Sequence, residues 1–238
     1  TPSVDIFVAN DSICYHTSTT ISALVTGGQA GYNYDWNYGL PDQASHTIIL
    51  DSTSNFNLTV TDVNGCSSNA SNSVYVNPEI QISLTTINNP LCNGDNNGSF
   101  SIAVAGGSPN YDIDWTNGLV NGSFPGSPGG PHVLGSLPAD TYTVNVTDNQ
   151  GCTNSENITL TEPDSLIFEV DNINHILCGG SGAGSINYSL SGGIPQYELE
   201  WQGDTTSGII NTISPGSHNL SPLYGGNYSI TLTDANGC

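Results

Sequence analysis

Apolar and polar residues alternate along most of this chain, and the clearest alternation occurs three times. Phe56 to Cys66 reads F-N-L-T-V-T-D-V-N-G-C, Tyr142 to Cys152 reads Y-T-V-N-V-T-D-N-Q-G-C, and Tyr228 to Cys238 reads Y-S-I-T-L-T-D-A-N-G-C. Behind each aromatic residue the apolar positions are Leu58 and Val60, Val144 and Val146, Ile230 and Leu232. A period of two predicts a strand with one buried face. The Asp-x-x-Gly that follows predicts a tight turn, because Gly and Asn tolerate the positive φ such turns need. One strand-plus-turn unit recurring in this way marks a repeat protein.

A second alternation lies upstream of each of these. Gly27-Gly28, Gly106-Gly107 and Gly192-Gly193 each open the spacing GG-x-x-x-Y-x-x-x-W, which gives Tyr32 and Trp36, Tyr111 and Trp115, Tyr197 and Trp201. With Tyr34, Ile113 and Leu199 between them, one strand face carries three large residues and is expected to face a core. The alternate positions, Asn33 and Asp35, Asp112 and Asp114, Glu198 and Glu200, form a polar, mostly acidic face. Pro punctuates the chain at Asn77-Pro78-Glu79 and Glu162-Pro163-Asp164, where it interrupts strand pairing. The predicted domains are therefore 1–77, 78–162 and 163–238. Each reads as about seven short strands with Gly, Pro and Asn turns and no helical period, the pattern of a β-sandwich. The fold class is all-β, a tandem array of three immunoglobulin-like β-sandwiches. The third stops at Cys238, where its last strand is expected to begin, so the chain reads as a piece of a longer array.

Composition sharpens this picture. The chain has no Lys, no Arg and 21 acidic residues, a formal net charge of −21, where roughly one residue in eight is ordinarily basic. Salt bridges are left to protonated His alone. Nucleic acid is excluded as a partner, since phosphate contacts need Lys and Arg, and anionic membrane surfaces are excluded for the same reason. No apolar run approaches the ~20 residues of a membrane span, so no membrane insertion is expected.

Six Cys in regular register point to an oxidising compartment and disulfides, and no C-x-x-C pair suggests zinc. Cys14, Cys92 and Cys178 open the repeats; Cys66, Cys152 and Cys238 end the Asp-x-x-Gly turns. These points fall at opposite ends of one sandwich, because a strand of six to eight residues spans ~20–25 Å, whereas bridged Cα atoms lie within ~7 Å. In a head-to-tail array the end carrying the opening Cys faces the next repeat's closing turn. The favoured pairs are Cys14 with Cys152 and Cys92 with Cys238, leaving Cys66 and Cys178 to repeats outside the chain. Bridges within repeats are the alternative.

Cys92 with its N-G-D-N-N-G turn, the G-G-S-P-N-Y of Gly106 to Tyr111, Trp115 and the terminal Y-x-V-x-V-T-D-x-x-G-C resemble the SprB-type repeats. More broadly they resemble the PKD-like and immunoglobulin-like repeats of large cell-surface proteins in gliding and other Bacteroidota. The resemblance covers nearly the whole chain and is clearest in repeats two and three. Repeat one departs from it: Tyr15 and His16 follow Cys14, and Gly-Gln-Ala-Gly replaces Gly-x-Pro. The resemblance implies type IX secretion, display as a long adhesive filament, and no catalysis.

The remaining candidates have bland alternatives. Trp36, Trp115, Trp201, Tyr142 and Tyr228 are assigned to the core, with sugar stacking as the alternative. Asp62, Asp148 and Asp234 are turn caps, or weak calcium ligands; no other cofactor is expected. His46, His132 and His218 recur 86 residues apart, as structural hydrogen bonders at a strand start or as pH sensors. Asp11-Ser12-Ile13 and Asp164-Ser165-Leu166 resemble Bacteroidota O-glycosylation acceptors at Ser12 and Ser165. The Gly/Pro/Ser loop from Asn117 to Pro131 is the candidate contact surface. The leading function is a structural segment of an extracellular adhesin filament used in surface attachment or gliding motility. Its partners are neighbouring repeats of the same long chain and surface polysaccharide or other extracellular material. The alternative is a spacer or carbohydrate-binding module array of a secreted polysaccharide-degrading enzyme.

Overall fold

A computed structural model of the chain describes residues 1–176 and 184–238. The first repeat contains β1 (Pro2–Val8), β2 (Ser12–Cys14), β3 (Thr17–Gly27), β4 (Asn33–Trp36), β5 (Ser45–Leu50), β6 (Ser54–Thr61) and β7 (Ser67–Asn77). They form two sheets, β1-β3-β5 and β2-β7-β6-β4, antiparallel except for the β2–β7 pair. The alternation predicts which residues they bury. In β6, Phe56, Leu58 and Val60 are buried and join Ile6, Ile21, Trp36, Val74 and Val76 in one core between the two sheets. Each fully buried aliphatic or aromatic side chain of this kind contributes about 1.5–3 kcal/mol.

The second repeat contains β8 (Gln81–Asn88), β9 (Gly98–Ala105), β10 (Tyr111–Thr116), β11 (Asn121–Ser127), β12 (His132–Leu137), β13 (Asp140–Asp148) and β14 (Thr153–Leu160). Its sheets are β12-β9-β8 and β11-β10-β13-β14. The third contains β15 (Ile167–Asn174), β16 (Gly184–Ser191), β17 (Tyr197–Gly203), β18 (Ser207–Ile213), β19 (Gly216–Leu223) and β20 (Tyr228–Thr233), in sheets β15-β16-β19 and β18-β17-β20. Ile186, Tyr188, Leu190, Tyr197, Leu199 and Leu220 form its core. Among the described residues β20 has no outer neighbour corresponding to β7 or β14. Both repeats carry a bulge at one place, between Tyr111 and Ile113 and between Tyr197 and Leu199.

The chain divides into two compact units, Thr1–Ser83 with Ala103–Gly130 and Thr143–Glu156, and Leu84–Ile102 with Pro131–Tyr142 and Asn157–Cys238. The division runs through the middle repeat instead of along the Pro-marked boundaries. Among the described residues no helix is long and apolar enough to cross a membrane.

One expectation is corrected. Asn117–Pro131 is not one open loop: Asn121–Ser127 is a strand paired with β10, and the Gly126 amide donates to Asp112 Oδ1 at 2.7 Å. Its Gly and Pro residues hid the pattern. Trp36 and Tyr142 are buried, and Trp115, Trp201 and Tyr228 are half-buried, with Trp201 and Tyr228 packed against the core of the third repeat. Trp115 stands opposite Gly122, where a Cβ would lie 2.5 Å from the indole, and Trp201 stands opposite Gly208 in the same way. Each indole lies over bare backbone of the edge strand. Tyr228 likewise covers Gly203 on the neighbouring strand β17.

Candidate functional site

The three Asp-x-x-Gly-Cys turns fold identically. The Asp amide donates to the Cys carbonyl at 2.9 Å in Asp62–Cys66, 2.9 Å in Asp148–Cys152 and 3.2 Å in Asp234–Cys238. The Gly amide donates back to the Asp carbonyl, with Gly65, Gly151 and Gly237 at positive φ. One carboxylate oxygen, Oδ1, accepts the amides two and four residues on: Asn64 and Cys66, Gln150 and Cys152, Asn236 and Cys238.

The other oxygen reaches the Gly-Gly loop far upstream in sequence. Asp62 Oδ2 accepts from the Gln29 amide at 3.2 Å, Asp148 Oδ2 from Ser108 at 2.8 Å, and Asp234 Oδ2 from Ile194 at 2.8 Å. Gly107 and Gly193 allow this approach. A Cβ on either would stand 2.8 or 2.7 Å from the carboxylate oxygen, and both have φ near +57°. The Tyr of the GG-x-x-x-Y motif completes the clasp by donating to the first Gly carbonyl: Tyr32 to Gly27 at 2.6 Å, Tyr111 to Gly106 and Tyr197 to Gly192 at 2.5 Å. All three Asp are buried. Burial raises the pKa of Asp62 and Asp234, but the amide bonds outweigh it and hold both below 3.8.

The clasp fixes the position of the closing Cys. Cys152 is bonded to Cys14 with Cα atoms 5.5 Å apart, and Cys238 to Cys92 with Cα atoms 5.7 Å apart, inside the ordinary disulfide range. Each bond joins one repeat's opening turn to the next repeat's closing turn. Around the first, buried Asn77 donates to Cys152 Sγ at 3.6 Å and accepts from Ser108 Oγ at 3.2 Å, while the Gly107 amide donates to Pro78 O. Around the second, Asn236 Nδ2 donates to Leu91 O at 2.8 Å, and Glu162 accepts from Asn93 Nδ2 at 2.9 Å and the Gly94 amide at 2.8 Å. Cys66 is unbonded and half-buried; Cys178 lies outside the described residues.

Asp62, Asp148 and Asp234, the candidate calcium ligands, spend both oxygens on backbone amides. Among the described residues no group of three or more His, Cys, Asp or Glu is placed to hold a metal. Ser12 and Ser165 are exposed. The repeated His lie opposite Ile21, Ile102 and Tyr188 on neighbouring strands. His218 Nε2 meets Ser214 O at 2.8 Å, whereas His46 packs edge-on against Trp36. His16 and Asp51 form an exposed ion pair at 2.7 Å, of small energetic weight. The sequence alone does not join the parts of the clasp, because they lie far apart along the chain. Its signal in the sequence is a Gly-Gly and an Asp that recur together in every repeat.

Residues 84–120 match the SprB repeat family model. No curated protein sequence matches the chain. Among solved structures, the N-terminal eight Ig domains of the Down Syndrome Cell Adhesion Molecule align with 98% of this chain and 36% of that one, at 13% identity and a TM-score of 0.52. Three N-terminal domains of the bacteriophage RB49 Highly Immunogenic Outer Capsid protein align over 98% and 92%, at 14% identity and a TM-score of 0.35. A Ca2+-stabilized adhesin that helps an Antarctic bacterium reach out and bind ice aligns over 97% and 72%, at 14% identity and a TM-score of 0.37. At 13% identity and a TM-score of 0.52, the likeness to the eight Ig domains is one of fold, a tandem of Ig-like domains.

Proposed function

We propose that the chain is a structural repeat segment of a long extracellular adhesin filament, serving surface attachment or gliding motility. One observation carries the reading: Cys14–Cys152 and Cys92–Cys238 each tie one repeat to the next. A disulfide persists in an oxidising, extracytoplasmic setting. Bonds that link successive repeats resist extension of an array, whereas bonds internal to each repeat would leave the linkers to carry force alone. The SprB repeat match at residues 84–120 supports the same reading, and type IX secretion by a member of the Bacteroidota is the export route it fits. The segment acts by presenting surface away from the cell, with no catalytic role. Exposed Ser12 and Ser165 are its proposed glycan carriers.

The test is surface labelling of intact source cells with an antibody against this chain, paired with attachment and spreading of a strain lacking it. Surface label together with lost attachment or spreading is the expected result. Label found only after lysis would overturn the proposal.

A further inference from the structure

The first repeat holds an exposed aromatic residue in a backbone conformation that aromatic residues seldom take. β4 is the edge of its sheet, whereas β10 continues into β11 and β17 into β18. In place of that extra strand the first repeat has a tight turn, Asn37–Gly39. Asn37 pins the turn to β6 in both directions, donating from Nδ2 to Asn55 O at 2.8 Å and accepting the Asn57 amide at 3.1 Å. Tyr38 is held there at φ 62° and ψ 13°, a left-handed conformation natural to glycine and an outlier for a bulky residue. Its side chain packs away little of itself in return, since Tyr38 is 66% exposed. Backbone strain of this kind persists where the surroundings fix it, and it gathers at ligand sites.

A pocket lies beside this ring. Tyr38 meets Phe56 edge-on, with ring centroids 5.5 Å apart and planes at 64°. With Leu40, Ile49 and Leu50 the two rings wall a cavity of about 230 Å³, in which Ser54 is the one polar residue besides the tyrosine. Phe56 stands where the other repeats have Tyr142 and Tyr228, whose hydroxyls donate to Pro138 O and Tyr224 O. In the first repeat the hydroxyl-bearing ring is Tyr38 instead, and its Oη bonds to no described residue. Residues 117–120 and 204–206, the turns that follow β10 and β17, contain no aromatic residue. The Tyr38 ring is therefore not a scaffold position copied through the array.

We propose that this pocket binds one neutral pyranose ring of a polysaccharide, with Tyr38 as the stacking face. Three observations select that ligand class. The chain has no Lys or Arg and a net charge of −21, so uronates, sulfated sugars and phosphates are repelled. Asp42 Oδ1 accepts the Tyr34 amide at 2.6 Å, and a carboxylate on the edge of β4 guards it against an added strand. Ile49 is 60% exposed, so the rim on both sides of the pocket stands in water. An apolar side chain seated there would stay half-wetted, whereas a pyranose lays one C–H face on an aromatic ring and keeps its hydroxyls in solvent. The Tyr38 and Ser54 hydroxyls supply polar contacts at the wall, and the turn pinned by Asn37 needs no ordering when the sugar arrives. The assignment gives the adhesin reading a ligand class without resting on it.

The probes are cellohexaose, laminarihexaose and mannohexaose, with hexagalacturonic acid as the anionic control, each titrated into the oxidised chain and followed by NMR. Saturable shifts of the Tyr38 ring and Ile49 methyl signals are expected with at least one neutral sugar and not with the acid. Tyr38→Leu keeps Phe56 covered but offers no ring face, and it is expected to weaken binding about tenfold. Tyr38→Phe, a ring without the hydroxyl, is expected to keep most of the affinity. Tyr75→Ala, which removes an exposed ring on β7, is expected to bind as the unaltered chain does. The proposal is overturned by the absence of saturable shifts with all three neutral sugars, or by equal binding of the Leu and Phe variants. It is also overturned if the same signals move with protein concentration alone, which would assign the pocket to a second copy. All of these are read on the purified chain, so none of them decides the surface-labelling test.

Discussion

Asp148 shows how much one carboxylate holds. It accepts the amides of Ser108, Gln150 and Cys152, and two of these donors, on half-buried Ser108 and buried Cys152, would otherwise be stranded without partners. A stranded buried donor costs about 1–3 kcal/mol. Asp148→Ala is therefore expected to destabilise by about 3 kcal/mol or more, read from urea unfolding of the oxidised chain. Asp62 and Asp234 add a pH signature. Their amide bonds, acting against burial, place both below the ordinary 3.8 in the folded protein. The unfolded chain therefore takes up protons first as pH falls. Stability from these two groups is fully present above the unfolded value and is lost as pH drops through the folded ones. Thermal melts are expected to shift little between neutral pH and about 5 on their account, then to fall below about pH 4. The drop should be smaller in an Asp62→Asn, Asp234→Asn variant whose neutral-pH stability is already reduced. Equal acid sensitivity in that variant would assign the loss to other carboxylates.

At the scale of strands and turns, the cross-strand pairing of a large ring with a bare glycine recurs in two hairpins. Trp115 lies on Gly122 and Trp201 on Gly208. Gly122→Val would place its side chain into the indole, and overpacking of this sort costs about 1–3 kcal/mol. The expected result is a lowered Tm with a shifted Trp emission maximum, whereas the same change at exposed Gly118, away from any ring, should move only the Tm. Gly122 also marks the limit of what the sequence discloses. Strands such as β6 and β13 were legible because Phe56, Leu58 and Val60, or Tyr142, Val144 and Val146, alternate against polar neighbours, and one buried face imposes that period. β11 was not legible, because its residues Asn121, Gly122, Gly126 and Pro125 carry no period and its pairing is dictated by β10. The half-burial of Trp115 and Trp201 was hidden for a related reason: ring cover depends on the residue opposite, not on residues nearby in the chain. The Tyr, Gly-Gly and Asp motifs were each visible. Their hydrogen bonds span 5 and 40 residues, so only three-dimensional proximity joins them into one clasp.

For the chain as a whole, the two disulfides interleave. Cys92 lies inside the loop closed by Cys14–Cys152, and Cys152 lies inside the loop closed by Cys92–Cys238. Cross-links that close loops of 138 and 146 residues restrict the unfolded chain strongly, by about 4–5 kcal/mol for one such loop in the chain-entropy account. Their overlap also means that a break at either Pro-marked linker leaves the two sides covalently joined. The composition makes this directly testable, because the chain contains no Lys or Arg and one introduced Arg creates a unique trypsin site. Glu79→Arg places it at an exposed position beside Pro78. After digestion in moderate urea, with the disulfides intact, the product is expected to run as one species without reductant and to separate into residues 1–79 and 80–238 when reduced. Asp164→Arg is expected to behave the same way at the second linker, held together by Cys92–Cys238 instead. Bonds closed within each repeat would leave nothing across either cut. Release of the 1–79 fragment without reductant would therefore overturn the stapled arrangement, and with it the argument that force passes from repeat to repeat through sulfur.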